Sequence, residues 1–321
     1  MSILAPDFFI AHGYPCRGLF CHMGSHSPGL PFPGALPGWF SPRALFLVVI
    51  YSESDYFCMT VKNNFMGELN SLTELEKKRY KLQIMLPGIG ATGQEKIRNA
   101  RVLVVGVGGL GSLVLQYLTA MGAGTLGFLD HDVIEEINLS HQVLYGMDDI
   151  GKLKAVVTRK RLSAMNPLVQ FNMLNVQLKD DNTGSIVPGY DIVVDATNKK
   201  EAHYLINDAC LKYGKVMVLG CVCSKLEGRI SVFNYNGGPS FRCISPQGHP
   251  KDVGEDKNIT GMPGILPGVT GAYVANEVIR VITGSDDILS GRMLKIDIFG
   301  HRNSIVPVTR NPANFQNLTE Q

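Results

Sequence analysis

The chain has 321 residues, of which 45% are hydrophobic and 18% are charged, a composition typical of a globular protein with a full core. Its formal net charge of +2 at pH 7 favours neither a nucleic-acid partner nor a membrane partner. The seven cysteines are odd in number and scattered, which argues against a disulfide framework. They favour a reducing compartment, so we expect a cytoplasmic protein.

The first 65 residues differ from the rest of the chain. Residues 6–42 are dense in Gly and Pro and show no hydrophobic period. The apolar run at 44–51 is too short to span a bilayer and begins too far into the chain for a signal peptide. We therefore predict that residues 1–65 are a disordered extension, or upstream sequence translated from too early a start, with Met59 or Met66 as the true start.

Residues 66–321 are predicted to form one domain in which strand and helix patterns alternate. A capping-box pattern at Ser71–Glu74 opens a charged helix. The remaining predicted elements are strands at 101–107, 125–130, 171–178, 191–196 and 215–220, helices at 112–121, 152–165, 201–213 and 272–283, and two later strands at 229–235 and 293–299. The alternation predicts an α/β fold with a Rossmann-like, doubly wound, mostly parallel sheet, which the two later strands extend in antiparallel fashion. A polar stretch at 236–267 is predicted to be a lid or crossing loop.

A nucleotide-binding pattern lies near the start of this domain. An apolar run leads into a turn that contains Gly106, Gly108, Gly109 and Gly111, a helix follows, and a second apolar strand ends at Asp130. The glycines allow a tight turn and a close approach of backbone N–H groups to a phosphate at the helix start. Asp130 follows the turn by about 20 residues, the spacing expected of a carboxylate that binds ribose hydroxyls. We predict nucleotide binding here; a tight turn without a ligand is the alternative.

Further motifs extend this pattern along the chain: Arg79–Gln83, Gly93–Lys96, Asn138–Gln142, Gly151–Lys154, Asp195–Asn198 and Gly228–Phe233. In this order and spacing, the set resembles the ThiF/MoeB/HesA family, the bacterial relatives of ubiquitin-activating enzymes, over about residues 66–300. The resemblance implies an ATP-dependent adenylyltransferase. In that family, the C-terminal glycine carboxylate of a small ubiquitin-like sulfur carrier ending in Gly-Gly attacks the α-phosphate of ATP and pyrophosphate leaves. It also implies Mg²⁺, a homodimer, and a place in thiamine or molybdopterin biosynthesis.

The resemblance also implies roles for individual residues. Lys154 is expected to reach the triphosphate and to act catalytically together with Asn198. The expected nucleotide-binding residues are Gly106, Gly108, Gly109, Gly111, Asp130, Asp132, Asn138, His141, Gln142, Lys154 and Asp195. No protein metal site is assigned, because ribose binding and proximity to Mg²⁺ explain Asp130, His131 and Asp132 better than a separate metal cluster.

Three positions depart from the family pattern. Leu82 replaces an arginine that reaches the ATP of the neighbouring subunit, His141 replaces another arginine, and Asn198 replaces an aspartate near Mg²⁺. Leucine cannot replace a guanidinium, histidine would need a proton to do so, and asparagine lacks the charge that binds a hard cation. We therefore expect a weakened Mg²⁺ site. The lysines beside these positions either compensate or are solvated surface lysines: Lys81, Lys199 and Lys200.

Sulfur chemistry also departs from the family, many of whose members bind a structural zinc through two Cys-x-x-Cys pairs. The first pair would be Ser240–Cys243, which lacks one thiol, and the tail 311–321 has no cysteine. A tetrahedral zinc site requires four ligands, so we predict no zinc. The reactive cysteine of the family aligns loosely with Thr260. Cys243 is either a covalent residue or a plain thiol.

Three functions remain to be compared. The first is an adenylyltransferase for a ubiquitin-like sulfur carrier. The second is a catalytically degenerate relative that binds nucleotide or carrier as a scaffold or partner subunit. The third, a nicotinamide-dependent oxidoreductase, is disfavoured because the Asn138–Gln142 motif and Lys154 have no role in hydride transfer.

Overall fold

The computed structural model describes residues 71–223, 227–246 and 261–315, together with the backbone of three short N-terminal strands. The chain divides into two compact units, Met1–Ser71 and Leu72–Gln321. In the first unit, an antiparallel three-stranded sheet consists of β1 (Phe20–Cys21), β2 (Leu47–Tyr51) and β3 (Tyr56–Thr60). The other residues of the predicted extension, and Met66 directly after it, lie outside the described residues. Its disorder and its early start therefore stay predictions.

The second unit alternates helices and strands. In chain order they are α1 (Glu74–Arg79), α2 (Lys81–Ile84), α3 (Gly90–Asn99), β4 (Arg101–Val105), α4 (Gly109–Met121), β5 (Thr125–Leu129), α5 (Lys154–Met165), β6 (Gln170–Leu174), α6 (Asp180–Ile186), β7 (Ile192–Asp195), α7 (Lys200–Lys212), β8 (Val216–Cys223), β9 (Glu227–Phe233), α8 (Ile265–Thr283), β10 (Arg292–Asp297) and β11 (Arg302–Pro307). Short 3₁₀ turns occur at Glu136–Ser140 and Phe241–Cys243.

The strands of the second unit form one eight-stranded sheet in the order β11-β10-β9-β8-β7-β4-β5-β6. Strands β8, β7, β4, β5 and β6 are parallel, and β9, β10 and β11 extend the sheet in antiparallel fashion. The predicted fold class is therefore confirmed. The chain runs outward from β4 in one direction through β5 and β6 and in the other through β7 and β8. This reversal creates a crevice at the carboxyl ends of the strands, where ligands of open α/β sheets bind.

Both faces of the sheet are buried, as a doubly wound fold requires. In β4, Val102 and Val104 belong to one core cluster, whereas Leu103 and Val105 belong to another on the opposite face. This alternation follows from the two-residue period of a strand. Among the described residues, α8 is the one helix long and apolar enough to cross a membrane. Its residues such as Val274 lie in the main core, which explains its composition.

Several element boundaries differ from the sequence-based prediction. The capping box was predicted two residues too early: Thr73 is the N-cap of α1, its hydroxyl accepts the Glu76 N–H at 3.2 Å, and the Glu76 carboxylate accepts the Thr73 N–H at 2.7 Å. Helix α8 begins at Ile265, seven residues before its predicted start, because Pro267 lies in its first turn, where no N–H donor is needed.

The glycine turn between β4 and α4 brings backbone segments into close contact. Gly106 has a φ of +91°, a left-handed conformation that favours glycine. A Cβ on Gly111 would lie 2.0 Å from the carbonyl oxygen of Gly106, so only glycine allows α4 to pack on the turn. A Cβ on Gly108 would have the side-chain nitrogen of Gln142 as its nearest neighbour, at 3.9 Å. Position 108 therefore has space for a side chain, whereas position 111 does not.

This contrast predicts different stability effects for two alanine variants. Gly111→Ala should lower the free energy of unfolding by at least about 1–3 kcal/mol, since the new methyl group would overlap backbone that cannot move freely. Gly108→Ala should cost less than about 1 kcal/mol, the loss expected when alanine occupies an N-cap. Urea denaturation of the full chain measures both values. Equal stability of the two variants would contradict the packing described for α4.

Candidate active site

A cleft of about 650 Å³ opens at the carboxyl ends of the parallel strands, in the crevice beside β4. Its polar wall combines the glycine turn, the segment after β5, and the start of α5. Most of the predicted site residues line it: Gly106, Gly108, Gly109, Asp130, Asp132, His141, Gln142, Lys154 and Asn198. The fold therefore brings together residues that are separated by up to about 90 positions in the sequence.

Asp130 connects the glycine turn to the end of β5. Its Oδ2 atom accepts the Val107 N–H at 2.8 Å, and its Oδ1 atom accepts the Asp132 N–H at 2.9 Å. The carboxylate is buried, yet each oxygen retains a second lone pair that can accept a ligand hydroxyl. On the other side of the turn, the Tyr145 hydroxyl donates to the Val107 carbonyl at 2.9 Å. The turn is therefore fixed through both polar groups of Val107.

Lys154 is the cation of this polar wall. It is the first residue of α5, and its backbone N–H donates to the Asp132 carbonyl at 3.0 Å. Its Nζ atom lies 3.1 Å from Oδ2 of Asp132, and only 8% of its side chain is exposed. The ammonium is therefore positioned in the cleft before any ligand binds, a geometry suited to a phosphate group.

His141 lies beside Lys154 but does not replace the missing guanidinium. Burial lowers the pKa of His141 below its ordinary value, and the charge of Lys154 lowers it further. The imidazole is therefore neutral at pH 7. Its Nδ1 lies 3.2 Å from the Ser140 hydroxyl, so it is oriented by a neutral neighbour. Arginine, by contrast, keeps its charge in any such environment.

Gln142 offers an unused hydrogen-bonding group to the cleft. The residue is buried, and its Oε1 atom has no hydrogen-bond partner among the described residues. A buried amide without a partner costs free energy unless a ligand or water satisfies it. Since Gln142 borders the glycine turn, a nucleotide bound there could supply the missing donor.

Three predicted nucleotide-binding residues do not line the cleft. Gly111 packs against Gly106. The Asn138 side-chain oxygen accepts the Glu135 N–H at 3.1 Å, and its carbonyl accepts the N–H groups of the next cleft residues, His141 and Gln142. Asp195 is fully buried. In the described structure these residues position the wall of the cleft, and their direct contact with nucleotide stays a prediction.

Asp195 forms a buried pair that sequence analysis missed. Its Oδ2 atom lies 2.6 Å from Nδ1 of His203, and its Oδ1 atom accepts both the N–H and the hydroxyl of Thr197. Burial alone would lower the pKa of His203, but the Asp195 carboxylate outweighs it and raises that pKa. The sequence did contain a signal, since His203 lies on the buried face of the predicted helix that follows the acid.

An apolar wall completes the cleft. Predicted strand 171–178 in fact ends at Leu174, and the residues after it turn to line the cleft. The apolar wall consists mainly of Val176, Leu178, Ala202, Leu205, Ile206, Val222, Met262 and Pro267. These residues lie on loops, on helix faces and, for Val222, at the end of β8. They carry no motif, so sequence analysis did not find them. A purine base is a suitable occupant for such a surface.

The acidic segment after β5 contains the one cluster of three metal-ligating groups found among the described residues. Ligand atoms of Asp130, His131 and Asp132 lie within 4.8 Å of one another. Carboxylate oxygens are the ligands that Mg²⁺ prefers, so this donor set fits Mg²⁺. Asn198 also lines the cleft but contributes no charge.

Of the described cysteines, Cys221 lines the cleft, whereas Cys210, Cys223 and Cys243 do not. The Sγ atom of Cys243 accepts the Asn311 N–H at 3.4 Å and lies 3.7 Å from the Ser240 hydroxyl. Burial would raise the pKa of Cys243, but these hydrogen bonds outweigh it and lower that pKa. The absence of zinc and any covalent role of Cys243 stay predictions. Thr260 lies outside the described residues.

Comparisons with known proteins identify the family of this chain. The ThiF family model matches residues 80–316. A sulfur carrier protein adenylyltransferase of Thermus thermophilus is 39% identical over 245 residues, which are 75% of this chain and 90% of that relative. A probable molybdopterin-synthase adenylyltransferase of Porphyra purpurea is 37% identical over 236 residues, 72% of this chain but only 61% of that relative.

Solved structures show the same fold. The crystal structure of E. coli MccB with MccA-N7isoASN superposes with a TM-score of 0.64 at 22% identity, over 77% of this chain and 75% of MccB. The family match covers most of the chain, and the Thermus relative is matched over nearly its whole length. The chain therefore belongs to the ThiF family.

Proposed function

We propose that this protein is an ATP-dependent adenylyltransferase that activates the C-terminal glycine carboxylate of a small ubiquitin-like sulfur carrier ending in Gly-Gly. The observation that carries the proposal is the arrangement of Lys154 and Asp132 opposite the glycine turn in one cleft. Adenylyltransferases of sulfur-carrier and molybdopterin type are among the relatives, which supports the thiamine or molybdopterin context. We further propose a cytoplasmic location.

The reaction joins the carrier carboxylate to the α-phosphate of ATP. A carboxylate oxygen forms the new bond to phosphorus, the bond from the α-phosphorus to the bridging oxygen breaks, and pyrophosphate leaves with the electron pair. Such chemistry depends mainly on positioning and on neutralising charge. The backbone N–H groups at the start of α4 face phosphate, and Lys154 neutralises charge on the leaving pyrophosphate.

Other residues of the cleft orient the nucleotide. Asp130 has spare lone pairs for the ribose hydroxyls, and the Gln142 amide has an unsatisfied oxygen. Asp132 would help to hold Mg²⁺, which would supply positive charge at the phosphates when bound. The apolar wall would hold the purine base away from water.

A second candidate function is supported by specific observations. Leu82 is 80% exposed and carries no charge, His141 is neutral, and Asn198 cannot replace a metal-binding carboxylate. Each substitution removes charge that phosphoryl transfer requires. A catalytically degenerate family member that binds nucleotide or carrier as a scaffold or partner subunit is therefore the alternative.

ATP–pyrophosphate exchange distinguishes the two functions. The full chain, with Mg²⁺ and a set of small carriers ending in Gly-Gly, should exchange pyrophosphate into ATP only when a matching carrier is present. Lys154→Met should reduce the rate by about 10²–10³-fold, because it removes one charge-stabilising donor but keeps the side-chain volume. Lys152→Met is the matched control, since Lys152 lies two residues away, is largely exposed and does not line the cleft.

The absence of exchange with every carrier, beside an active relative assayed in parallel and with ATP binding intact, would reject the adenylyltransferase and favour the degenerate relative. Exchange that persists unchanged in Lys154→Met would reject the proposed role of Lys154 but would leave the proposed function intact.

The proposal includes a homodimer. The segment α1–α2 presents exposed apolar side chains that no described residue covers, namely Leu75, Leu82, Met85 and Leu86. A second apolar groove beside the cleft has exposed Tyr117, Val143 and Ile265 at its edge. Two such surfaces on one chain are suited to pairing with a second copy.

Sedimentation velocity tests this pairing. The full chain should sediment as a dimer at micromolar concentration, and Leu82→Glu combined with Met85→Glu should shift it to monomer, since two buried charges would oppose association. Lys77→Glu with Lys78→Glu, on exposed positions of the same segment, is the charge-changing control. A wild-type chain that remains monomeric at all concentrations would contradict the homodimer.

A further inference from the structure

The cleft contains a second cation that the proposed mechanism does not use. Two lysines are among its lining residues, Lys154 and Lys199. The charge of Lys154 is partly offset by Asp132 at 3.1 Å. Lys199, by contrast, is exposed and has no ion pair or side-chain hydrogen bond within the described part of the chain. Its ammonium is therefore free to bind an anion in the cleft.

The position of Lys199 is fixed by the buried pair below it. Asp195 accepts two hydrogen bonds from Thr197, and His203 pairs with the same carboxylate. These contacts fix the backbone of the loop between β7 and α7, on which Asn198 and Lys199 follow directly. The loop is therefore rigid at its base, while the lysine side chain keeps the reach of its flexible stem.

The location of Lys199 is unfavourable unless an anion is bound. Lys199 is the N-cap residue of α7, and Lys200 is the first residue of the helix. Helix N-termini favour negative charge, so two adjacent cations there oppose the helix dipole. An N-cap residue of the Ser, Thr, Asp or Asn type would also cap the helix better than lysine. A phosphate group between Lys199 and Lys154 would compensate for both effects.

The charge balance of the cleft also favours an anion beside Lys199. Asp130 and Asp132 place two carboxylates in the cleft, and His141 is neutral. Lys154 alone would leave this cleft negative, which disfavours a polyphosphate. Lys199 makes the carboxylates and ammonium groups equal in number. It does so directly beside Asn198, which lines the cleft but carries no charge.

We propose that Lys199 is a phosphate-binding residue of this cleft. Its ammonium group supplies part of the charge neutralisation that a carboxylate-bound Mg²⁺ would otherwise provide at the polyphosphate. The proposal rests on the proposed function, because it assigns the polyphosphate chain of a nucleotide to the space between Lys154 and Lys199. It predicts that ATP is bound with a weaker requirement for Mg²⁺ than a site with an aspartate at position 198 would show.

Equilibrium binding of ATP and of adenosine to the full chain tests this assignment without requiring turnover. In isothermal titration calorimetry, Lys199→Gln should raise the Kd for ATP about tenfold or more, as expected for loss of one charged hydrogen bond. The Kd for adenosine should change less than about twofold, since adenosine carries no phosphate. Lys199→Arg should keep the Kd for ATP within about threefold. Removal of Mg²⁺ should weaken ATP binding more in Lys199→Gln than in the wild type.

Lys200→Gln is the matched control, because Lys200 shares the same helix N-terminus but does not line the cleft. An equal effect of both variants would overturn the proposal, since the helix dipole and not the cleft would then be responsible. A wild-type-like Kd for ATP in Lys199→Gln would also overturn it, and would leave the proposed function intact. Wild-type ATP binding without carrier-dependent exchange would instead reject the proposed function, while the comparison of variants would still decide the role of Lys199.

Discussion

The hydrogen bond from the Val107 N–H to the Asp130 carboxylate is the interaction on which the polar half of the cleft depends. It joins the turn after β4 to the end of β5 at 2.8 Å, in a buried position where a charged acceptor binds strongly. The same carboxylate accepts the Asp132 N–H, and Asp132 in turn contacts Lys154 through its side chain and its carbonyl group. The position of the Lys154 ammonium group is therefore set by a chain of contacts that begins at Asp130.

The other half of the cleft depends on a second strand-end acid. Asp195 at the end of β7 pairs with His203 and fixes the loop that carries Asn198 and Lys199. Both acids therefore use their carboxylates on the protein itself, one at each side of the crevice. Breaking a buried charge pair of this kind is costly because the remaining charge is left without a partner. The resulting cleft is preorganised, which is what a reaction governed by positioning requires.

The sequence was sufficient to predict the fold class, the parallel strands and most of the polar wall. Strand β4 and the glycine turn could be predicted because hydrophobic patterning and glycine spacing are local properties of the sequence. The role of Lys154 was predicted from the family resemblance. Edge strand β11 was missed, since nearly all its residues are exposed and show no alternation. The pairing of Asp195 with His203 was missed because it depends on packing between a helix and a strand end.

The sequence predicted only part of the site, because local patterns do not reveal contacts that depend on the three-dimensional fold. Asp130 was predicted as a ribose ligand from its spacing, but its bond to Val107 requires the three-dimensional path of the turn. The neutral state of His141 arises from burial and from Lys154, neither of which a motif reveals. Two of the three departures from the family pattern, His141 and Asn198, thus lie in one cleft, whereas Leu82 lies outside it. Together they favour the alternative of binding without catalysis.

A crystal structure of the full chain with Mg²⁺ and a non-hydrolysable ATP analogue tests the central claim most directly. The account predicts ribose hydroxyls within hydrogen-bonding distance of the Asp130 carboxylate, and phosphate oxygens at the N–H groups of the glycine turn and at Nζ of Lys154. A nucleotide bound outside this cleft, or an empty cleft at saturating nucleotide, would contradict it.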